Sequence, residues 1–376
     1  MITLKQKSQK IFDLVDIKIN GSKFWDIQIH NDDFYSRVLS RGSLALGESY
    51  MDGWWDCKAL DEFFYKVLKA NLKDEIKPIG LFWYYLHAKI INLQKKSRAF
   101  NIGNIHYDIG NDFYKHMLDK RLTYTCGYWE LGAKNLDQAQ EAKLDLVCRK
   151  MGIKPGMKVL DIGCGWGSFL KYAAQKYKIK GVGLTISEEQ VKLGKELCKG
   201  LDVEIRLQDY RDINEKEKFD RIVSLGMFEH VGIKNYKIFM EIVYRNLKDD
   251  GLFLLHTIGG NTSVIKTEPW IDKYIFPGGL IPSAKQITEA VEGLFILEDW
   301  HNFGTDYDKT LMAWYKNFKS NFSKIKKIDK KYDKRFYRMW TYYLLSSAGS
   351  FRARYTQLWQ IVFSKKGTDR VYKSIR

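Results

Sequence analysis

The sequence LDIGCGWGSF at residues 160–169 decides the fold of this chain. An apolar segment ends at Asp161, glycines follow at alternate positions (Gly163, Gly165 and Gly167), and the helix-compatible segment FLKYAAQKY comes next. A turn without Cβ atoms lets the backbone approach a bound nucleotide, and the N-terminus of the following helix offers free N–H groups. The alternative interpretation is a strand-to-helix turn that binds no ligand.

Strand-like and helical segments alternate from about residue 105 onward. This alternation predicts an α/β fold with a parallel sheet, right-handed crossovers and ligands at the carboxyl ends of the strands. The predicted strands are 157–163, 180–187, 203–210, the beginning of 219–232, 251–259, and a closing antiparallel pair at 295–304 and 358–366.

Residues 1–95 contain no nucleotide-binding motif and form a separate predicted domain. A polar linker at 96–104 separates it from a catalytic domain at 105–376. Within the N-terminal domain we predict short strands at 25–30 and 34–39, a glycine-rich turn at 41–55, and helices at 61–72 and 80–93.

Composition limits the class of protein. Hydrophobic residues make up 45% of the 376 residues, which supports a sizeable core. No apolar run is long enough to span a bilayer, and the N-terminus has no signal core, so we expect a cytoplasmic protein. The five cysteines contain no CxxC pair, which predicts neither a zinc site nor a disulfide framework and fits a reducing compartment.

The net charge of +17 favours an anionic partner, either nucleic acid or a phospholipid surface. Residues 316–335 hold eight lysines and one arginine against Asp329 and Asp333. A solvated helix face is the alternative explanation of that run. Aromatic clusters at 54–55, 82–85 and 336–343 suit a membrane interface as well as a core.

The glycine turn, with an acid two positions before its first glycine, resembles that of S-adenosylmethionine-dependent methyltransferases rather than the GxGxxG of dinucleotide-binding proteins. Many of these enzymes bind the ribose through an acid after the second strand, where this chain has Thr185. We therefore expect Thr185 and Gln190 to hold the ribose. Gln208 and Asp209 are placed to contact the adenine, although Asp209 could instead cap a turn.

Further polar residues follow the other predicted strands. Glu229 comes after the fourth strand and His256 ends the fifth, while Cys126 and Tyr307 lie in the segments TYTCGYW and GTDYD. Each alone has an ordinary structural explanation. Because the loops of a doubly wound sheet share one rim with the glycine turn, we expect these side chains to converge.

Ten blocks follow one another along the chain: HYDIGNDFY (106–114), YTCGYW (124–129), LDIGCGWG (160–167), GLTISEEQ (183–190), LQDYRD (207–212), GMFEHVG (226–232), LLHTIG (254–259), WIDKYIFPGG (270–279), EDWHNFGTDYDKTLMAWY (298–315) and FRARYTQLWQIVFSKKG (351–367). In these blocks the chain resembles the bacterial cyclopropane fatty-acyl-phospholipid synthases. The resemblance implies a class I methyltransferase with a Rossmann-like sheet, mostly parallel with an antiparallel last strand, and a smaller, largely helical N-terminal domain that engages lipid.

The resemblance also implies an activity. The family transfers a one-carbon unit from S-adenosylmethionine to the cis double bond of an acyl chain in a membrane phospholipid, and a bound bicarbonate removes a proton from the carbocation. The implied catalytic residues form a cradle for the bicarbonate: Cys126, Glu229, His256, the backbone of Ile258 and Tyr307. To this cradle we add Ser347, whose hydroxyl we expect near the site. The implied cofactor-binding set is Tyr124, Thr125, Asp161, Gly163, Gly165, Gly167, Thr185, Gln190, Gln208 and Asp209.

One position departs from the family, because Ser347 stands where many members have a cysteine. A serine cannot serve as a thiolate, but a bicarbonate mechanism does not need one. The resemblance further implies a homodimer at the inner face of the membrane, with acyl chains as substrate and neither metal nor nucleic acid. Alternatives are a lipid methyltransferase giving methyl-branched or methylene products, an RNA methyltransferase suggested by the charge, and a non-catalytic lipid-binding protein.

Overall fold

The computed structural model describes residues 3–70, 109–214, 218–368 and 371–376. These residues form two compact units. The first unit comprises the described residues up to 70 together with 265–277 and 307–356. The second unit comprises 109–214, 218–264, 278–306, 357–368 and 371–376.

The first unit is largely helical. A two-stranded antiparallel sheet, β1 and β2, pairs Ile27 with Cys57. Helix α12 packs closely on α3 because residue 349 is a glycine. A Cβ at Gly349 would lie only 2.5 Å from the Asp61 carbonyl oxygen. The elements are α1 (Leu4–Asp13), β1 (Ile27–Ile29), α2 (Asp33–Met51), β2 (Trp55–Cys57), α3 (Leu60–Lys69), α9 (Pro269–Tyr274), α11 (Thr305–Ile328) and α12 (Lys334–Arg352).

Two predictions for the N-terminal domain are wrong. The predicted strand at 34–39 and most of the predicted turn at 41–55 are helical instead. Both lie in α2, which consists of two helical segments that meet at a kink at Gly42, where φ is 58° and ψ is −136°. The helix buries Phe34 and Tyr35, so packing decides the structure of a segment whose local pattern alternates. The predicted strand at 25–30 and helix at 61–72 are confirmed by β1 and α3.

The predicted division into domains differs from the two units. The segments 265–277 and 307–356, which the sequence placed in the catalytic domain, group with the N-terminal residues because α12 packs against α3 and α2. The predicted helix at 80–93, the predicted linker at 96–104 and the first three residues of the 106–114 block lie outside the described residues.

The second unit contains a seven-stranded sheet in the order β5-β4-β3-β6-β7-β9-β8. The first five of these strands run parallel, and β8 and β9 form an antiparallel pair, as the sequence predicts. The strands are β3 (Lys158–Ile162), β4 (Lys180–Thr185), β5 (Val203–Leu207), β6 (Phe219–Leu225), β7 (Leu247–Gly260), β8 (Ile296–Asn302) and β9 (Thr356–Ser364).

Helices cover this sheet, and its two faces carry separate apolar cores. Alternation along β3 sends Leu160 and Ile162 to one core and Val159 to the other. The helices of this unit are α4 (Asn111–Met117), α5 (Leu136–Lys150), α6 (Ser168–Tyr177), α7 (Glu188–Leu197), α8 (Tyr236–Asn246) and α10 (Ala284–Val291). The parallel strands place their carboxyl ends at one edge of the sheet, where Asp161 is the penultimate residue of β3 and Thr185 is the last residue of β4.

Among the described residues, no helix combines the length and the apolar character needed to cross a lipid bilayer.

Candidate active site

The glycine turn joins β3 to α6 in a conformation that other residues adopt only with strain. Gly163, Gly165 and Gly167 have φ values of 85°, 56° and 77°. A Cβ on Gly163 would lie 2.6 Å from the Met227 side chain, whereas a Cβ on Gly165 would meet no protein atom within 4 Å. The backbone at Gly165 therefore borders open space, and Gly167 begins α6 without a side-chain cap.

Asp161 is buried at the end of β3, and its Oδ1 atom has no hydrogen-bond partner. Burial raises the pKa of this carboxyl to about 7, and the nearby Lys143 ammonium opposes that rise. A buried carboxylate oxygen without a hydrogen-bond donor lowers the stability of the folded protein. Such an atom is typical of a group that binds a ligand.

The ends of β4 and β5 carry the predicted ribose and adenine residues. Thr185 and Gln190 are both buried, and the Thr185 hydroxyl donates to Gln190 Oε1 over 2.6 Å. The structure thus brings these two side chains together. Gln208 follows β5, and its amide donates to the Asp212 carbonyl over 2.9 Å.

Asp209 has the capping arrangement that the sequence analysis gave as the alternative. Its carboxylate accepts from the Arg211 backbone N–H over 2.9 Å and begins the turn Tyr210–Asp212. The Arg211 guanidinium also donates to both carboxylate oxygens, over 2.8 and 2.6 Å. A contact between Asp209 and adenine stays a prediction.

The loop at 124–127 lies beside the end of β6. The ring of Tyr124 packs against Tyr114, with centroids 5.2 Å apart. Cys126 is fully buried, and its thiol donates to the Gly127 carbonyl oxygen over 3.1 Å. Thr125 contacts β6 through its methyl group, because a Cβ on Gly226 would lie 2.6 Å from Thr125 Cγ2.

Glu229 and Ile258 meet between the ends of β6 and β7. The Ile258 backbone N–H donates to Glu229 Oε1 over 2.6 Å, while Glu229 Oε2 is buried without a hydrogen-bond partner. Burial raises the pKa of the Glu229 carboxyl to about 7. Two of the predicted cradle residues are therefore in direct contact, and one carboxylate oxygen is left for another donor.

His256 lies on β7 opposite Leu225 of β6 and is buried. Its Nδ1 atom is 3.3 Å from the Gln360 amide nitrogen, and its Nε2 atom has no hydrogen-bond partner. Burial lowers the pKa of the imidazole well below its ordinary value, and Lys143 and Lys150 lower it further. A neutral ring that accepts from Gln360 at Nδ1 carries its proton on Nε2, as a donor.

Tyr307 and Ser347 belong to the first unit. Tyr307 stacks on Phe351 with ring centroids 4.5 Å apart, and Ser347 is half-buried on α12. Their participation in the cradle stays a prediction.

Three buried polar side chains were missed by the sequence analysis: Gln140, Lys143 and Gln360. Gln140 lies three residues before Lys143 on α5, and each is followed four residues later by a buried apolar residue, Leu144 and Val147 respectively. The signal that could have found them is that polar residues occupy core positions of an otherwise apolar helical stripe. Gln360 interrupts the apolar run at 358–363 of β9, which offers a similar signal.

No group of three or more His, Cys, Asp and Glu side chains is arranged to hold a metal ion among the described residues. All five cysteines are free thiols.

The strand order, the antiparallel closing pair and the glycine turn at the end of the first parallel strand define a class I methyltransferase fold. The family described as mycolic acid cyclopropane synthetase matches residues 94–361. The chain belongs to this family and is an enzyme of the methyltransferase class.

Three relatives show the range of the similarity. The chain is 54% identical to the cyclopropane-fatty-acyl-phospholipid synthase of Escherichia coli strain K12, over 93% of this chain and 90% of that protein. It is 34% identical to sphingolipid C9-methyltransferase A of Emericella nidulans, over 90% of this chain and 68% of that protein. The crystal structure of mycolic acid cyclopropane synthase CmaA1 with SAH and CTAB has a TM-score of 0.65 and 32% identity, covering 71% of this chain and 98% of that one.

Proposed function

We propose that the protein transfers a one-carbon unit from S-adenosylmethionine to the cis double bond of unsaturated acyl chains in membrane phospholipids and forms a cyclopropane ring. The observation that carries the proposal is the pair of buried, unpartnered atoms Glu229 Oε2 and His256 Nε2 at neighbouring strand ends. Such atoms suit a bound base, and an alkene acceptor needs one, because the cation formed on it must lose a proton. The similarity to the bacterial phospholipid synthase supports the choice of acceptor.

A bicarbonate ion fits the donors and acceptors that these residues present. The neutral His256 imidazole donates from Nε2, and the free oxygen of Glu229 accepts a hydroxyl hydrogen. When bound, the ion would supply the base for the proton lost from the acyl chain. Cys126 adds a thiol, and Tyr307 and Ser347 stay in the proposed set for their hydroxyl groups.

The remaining site residues would hold the cofactor and exclude water from the reacting groups. The backbone at Gly165 would approach the nucleoside, and the Asp161, Thr185 and Gln190 side chains would supply polar partners. An alkene is a weak nucleophile, so the electrophilic methyl group has to be brought into contact with it where water is excluded. The aromatic rings of Tyr114 and Tyr124 would face a cation without reacting with it.

The product distinguishes the main proposal from its nearest alternative. A cation on the acyl chain can also give a methyl branch or a methylene group as the product. The similarity to a sphingolipid C9-methyltransferase is the observation that supports this alternative. We expect cells that express the protein to accumulate phospholipid acyl chains carrying a cyclopropane ring, detected by mass spectrometry. Branched or methylene products without a cyclopropane would contradict the proposal.

We also propose that the protein is cytoplasmic and binds the inner face of the membrane peripherally as a homodimer. The basic run at 316–335 supports the membrane binding, because all of its lysines are exposed, from the middle of α11 to its end, in the loop after it and at the start of α12. Tight RNA binding without vesicle binding would favour the RNA methyltransferase alternative.

Vesicle binding should weaken as salt rises. Each lysine near an anionic surface contributes about 1 kcal/mol at low ionic strength, and salt screens that attraction. We expect the double variant Lys326→Glu, Lys327→Glu to bind vesicles of phosphatidylglycerol at least about tenfold more weakly than wild type in a flotation assay. The double variant Lys176→Glu, Lys180→Glu changes equally exposed lysines of the second unit and should bind normally. Binding that is insensitive to salt would point to apolar insertion instead.

A further inference from the structure

The ammonium group of Lys143 is buried in the second unit. The residue lies on α5 with none of its surface exposed, and its Nζ atom is 2.7 Å from Thr125 Oγ1. Burial of an ammonium group costs several kcal/mol unless its charge is compensated and its protons are used. A leucine or methionine would fill the same helical position without that cost, so the charge itself calls for a function.

Thr125 is held on three sides. Lys143 donates to its hydroxyl oxygen, and the Gln140 amide donates to its carbonyl oxygen over 2.7 Å. Its methyl group fills the space above Gly226, where any Cβ would lie 2.6 Å away. A threonine fixed in this way has a defined hydroxyl position rather than a mobile one.

Lys143 also determines whether the Thr125 hydroxyl donates or accepts a hydrogen bond toward other groups. An ammonium group has three donors and no acceptor, so the Thr125 oxygen must accept from Lys143. The hydroxyl has only one proton, and that proton is then left for a different acceptor. The arrangement converts an ambivalent hydroxyl into an obligatory donor.

We propose that Lys143 is a positioning residue, which makes the Thr125 hydroxyl a hydrogen-bond donor for the carboxylate of the amino-acid portion of S-adenosylmethionine. This inference rests on the proposed function, because Thr125 belongs to the predicted cofactor-binding set. Lys143 acts on cofactor binding through Thr125 and takes no part in the transfer itself.

The groups around Lys143 set its titration. Asp119 and Asp161 favour the charged amine, the Cys126 thiol also faces it, and the neutral His256 ring senses its charge. Burial lowers the pKa of the amine to about 8, although the two acids oppose that change. Above pH 8 the neutral amine can accept a hydrogen bond, so the Thr125 proton can turn toward it. Cofactor affinity should therefore fall between pH 7 and pH 9.

The test is isothermal titration calorimetry of the full chain with S-adenosylmethionine at pH 7 and pH 9. Lys143→Met should bind the cofactor about 10- to 100-fold more weakly than wild type at pH 7, which is the usual cost of losing a hydrogen bond to a charged group. It should also lose the difference between the two pH values. In the lipid assay its KM for the cofactor should rise while kcat at saturating cofactor stays near that of wild type.

Lys150 provides a matched control. It lies two turns further along α5, is 1% exposed, and its Nζ atom is 3.0 Å from His301 Nδ1. Burial lowers its pKa to about 8 as well, so Lys150→Met reports the general effect of removing a buried lysine from this helix. It should keep the cofactor affinity and the pH dependence of wild type.

A second variant decides the matter if Lys143→Met does not fold. Thr125→Val removes the hydroxyl and keeps the shape, so it should weaken the affinity at pH 7 and abolish the pH dependence. The inference is overturned if wild-type affinity is flat from pH 7 to pH 9, or if Lys143→Met and Lys150→Met behave alike. A wild-type protein that binds no cofactor at any pH would instead overturn the proposed function.

Discussion

Replacing Glu229 by glutamine should reduce turnover by about 10²- to 10⁴-fold, the usual contribution of a positioned base, because Glu229 would orient the bicarbonate that takes the proton. The carboxylate has two tasks, since Oε1 accepts from the Ile258 N–H and Oε2 is left for a second donor. Glutamine has one acceptor oxygen, so one of the two contacts is lost. The measurement is the rate of cyclopropane formation in phospholipid vesicles at saturating S-adenosylmethionine.

The same variant should bind the cofactor normally, because Glu229 lies at the end of β6 and not in the glycine turn. Calorimetry with S-adenosylmethionine provides that reading. Glu298→Gln is the matched control: the same change on β8 of the same sheet, where the carboxylate accepts from the Ser364 hydroxyl over 2.5 Å. Wild-type turnover in Glu229→Gln would remove Glu229 from the cradle.

Stability should change in the opposite direction to activity. The Glu229 pKa rises from an ordinary value of 4.5 to about 7 in the folded protein. Between these values the folded state binds more protons than the unfolded state, so the buried carboxylate lowers the free energy of unfolding as pH rises from about 4.5 to 7. Glutamine is never ionised, so above pH 7 Glu229→Gln should be more stable than wild type in urea unfolding. A glutamate with only a structural role would make the variant less stable.

The sequence predicted the sheet well because β strands and helices of the second unit repeat a strong local pattern. Apolar strands such as 157–163 end at glycine or polar residues, and each is followed by a helical stripe. The N-terminal segment offers no such repetition. Residues 34–51 form two helical segments on either side of Gly42 because of what they bury, and an alternating local pattern with two glycines cannot reveal that.

The sequence predicted those site residues that follow strands. It did not predict the buried residues that hold other site residues in place. Thr185 ends β4, Glu229 follows β6, and His256 pairs with the last residue of β6, so the topology alone brings them to one edge of the sheet. Lys143 lies in a helix that also contains another lysine and a glutamate, so its sequence predicts a solvent-exposed side chain. Only the packing of the helix shows that this side chain is buried. Asp209 shows a different limit, because the sequence left both an adenine contact and a turn cap open, and the ion pair of its carboxylate with Arg211 follows only from the folded structure.

Replacing Gly165 by alanine should abolish cofactor binding while costing the fold little. The residue has a φ of 56°, where an alanine costs about 1–2 kcal/mol. A Cβ there meets no protein atom within 4 Å, so no further cost arises from packing. That open space is where the proposed cofactor approaches the backbone, so the methyl group should weaken S-adenosylmethionine binding by at least about 100-fold, or about 2.7 kcal/mol.

Gly200 separates the two effects of that substitution. It has a φ of 81° and no atom near its missing Cβ, but it follows α7 on the surface, away from the turn. Gly200→Ala should therefore lose a similar free energy of unfolding and keep the affinity of wild type. Gly163→Ala, in contrast, forces a Cβ to within 2.6 Å of Met227 and should destabilise the fold more than either. Backbone strain is common to Gly165→Ala and Gly200→Ala, and only the open space in front of the glycine turn distinguishes them. Equal affinity of the two variants for S-adenosylmethionine would therefore mean that the cofactor does not approach the turn at Gly165.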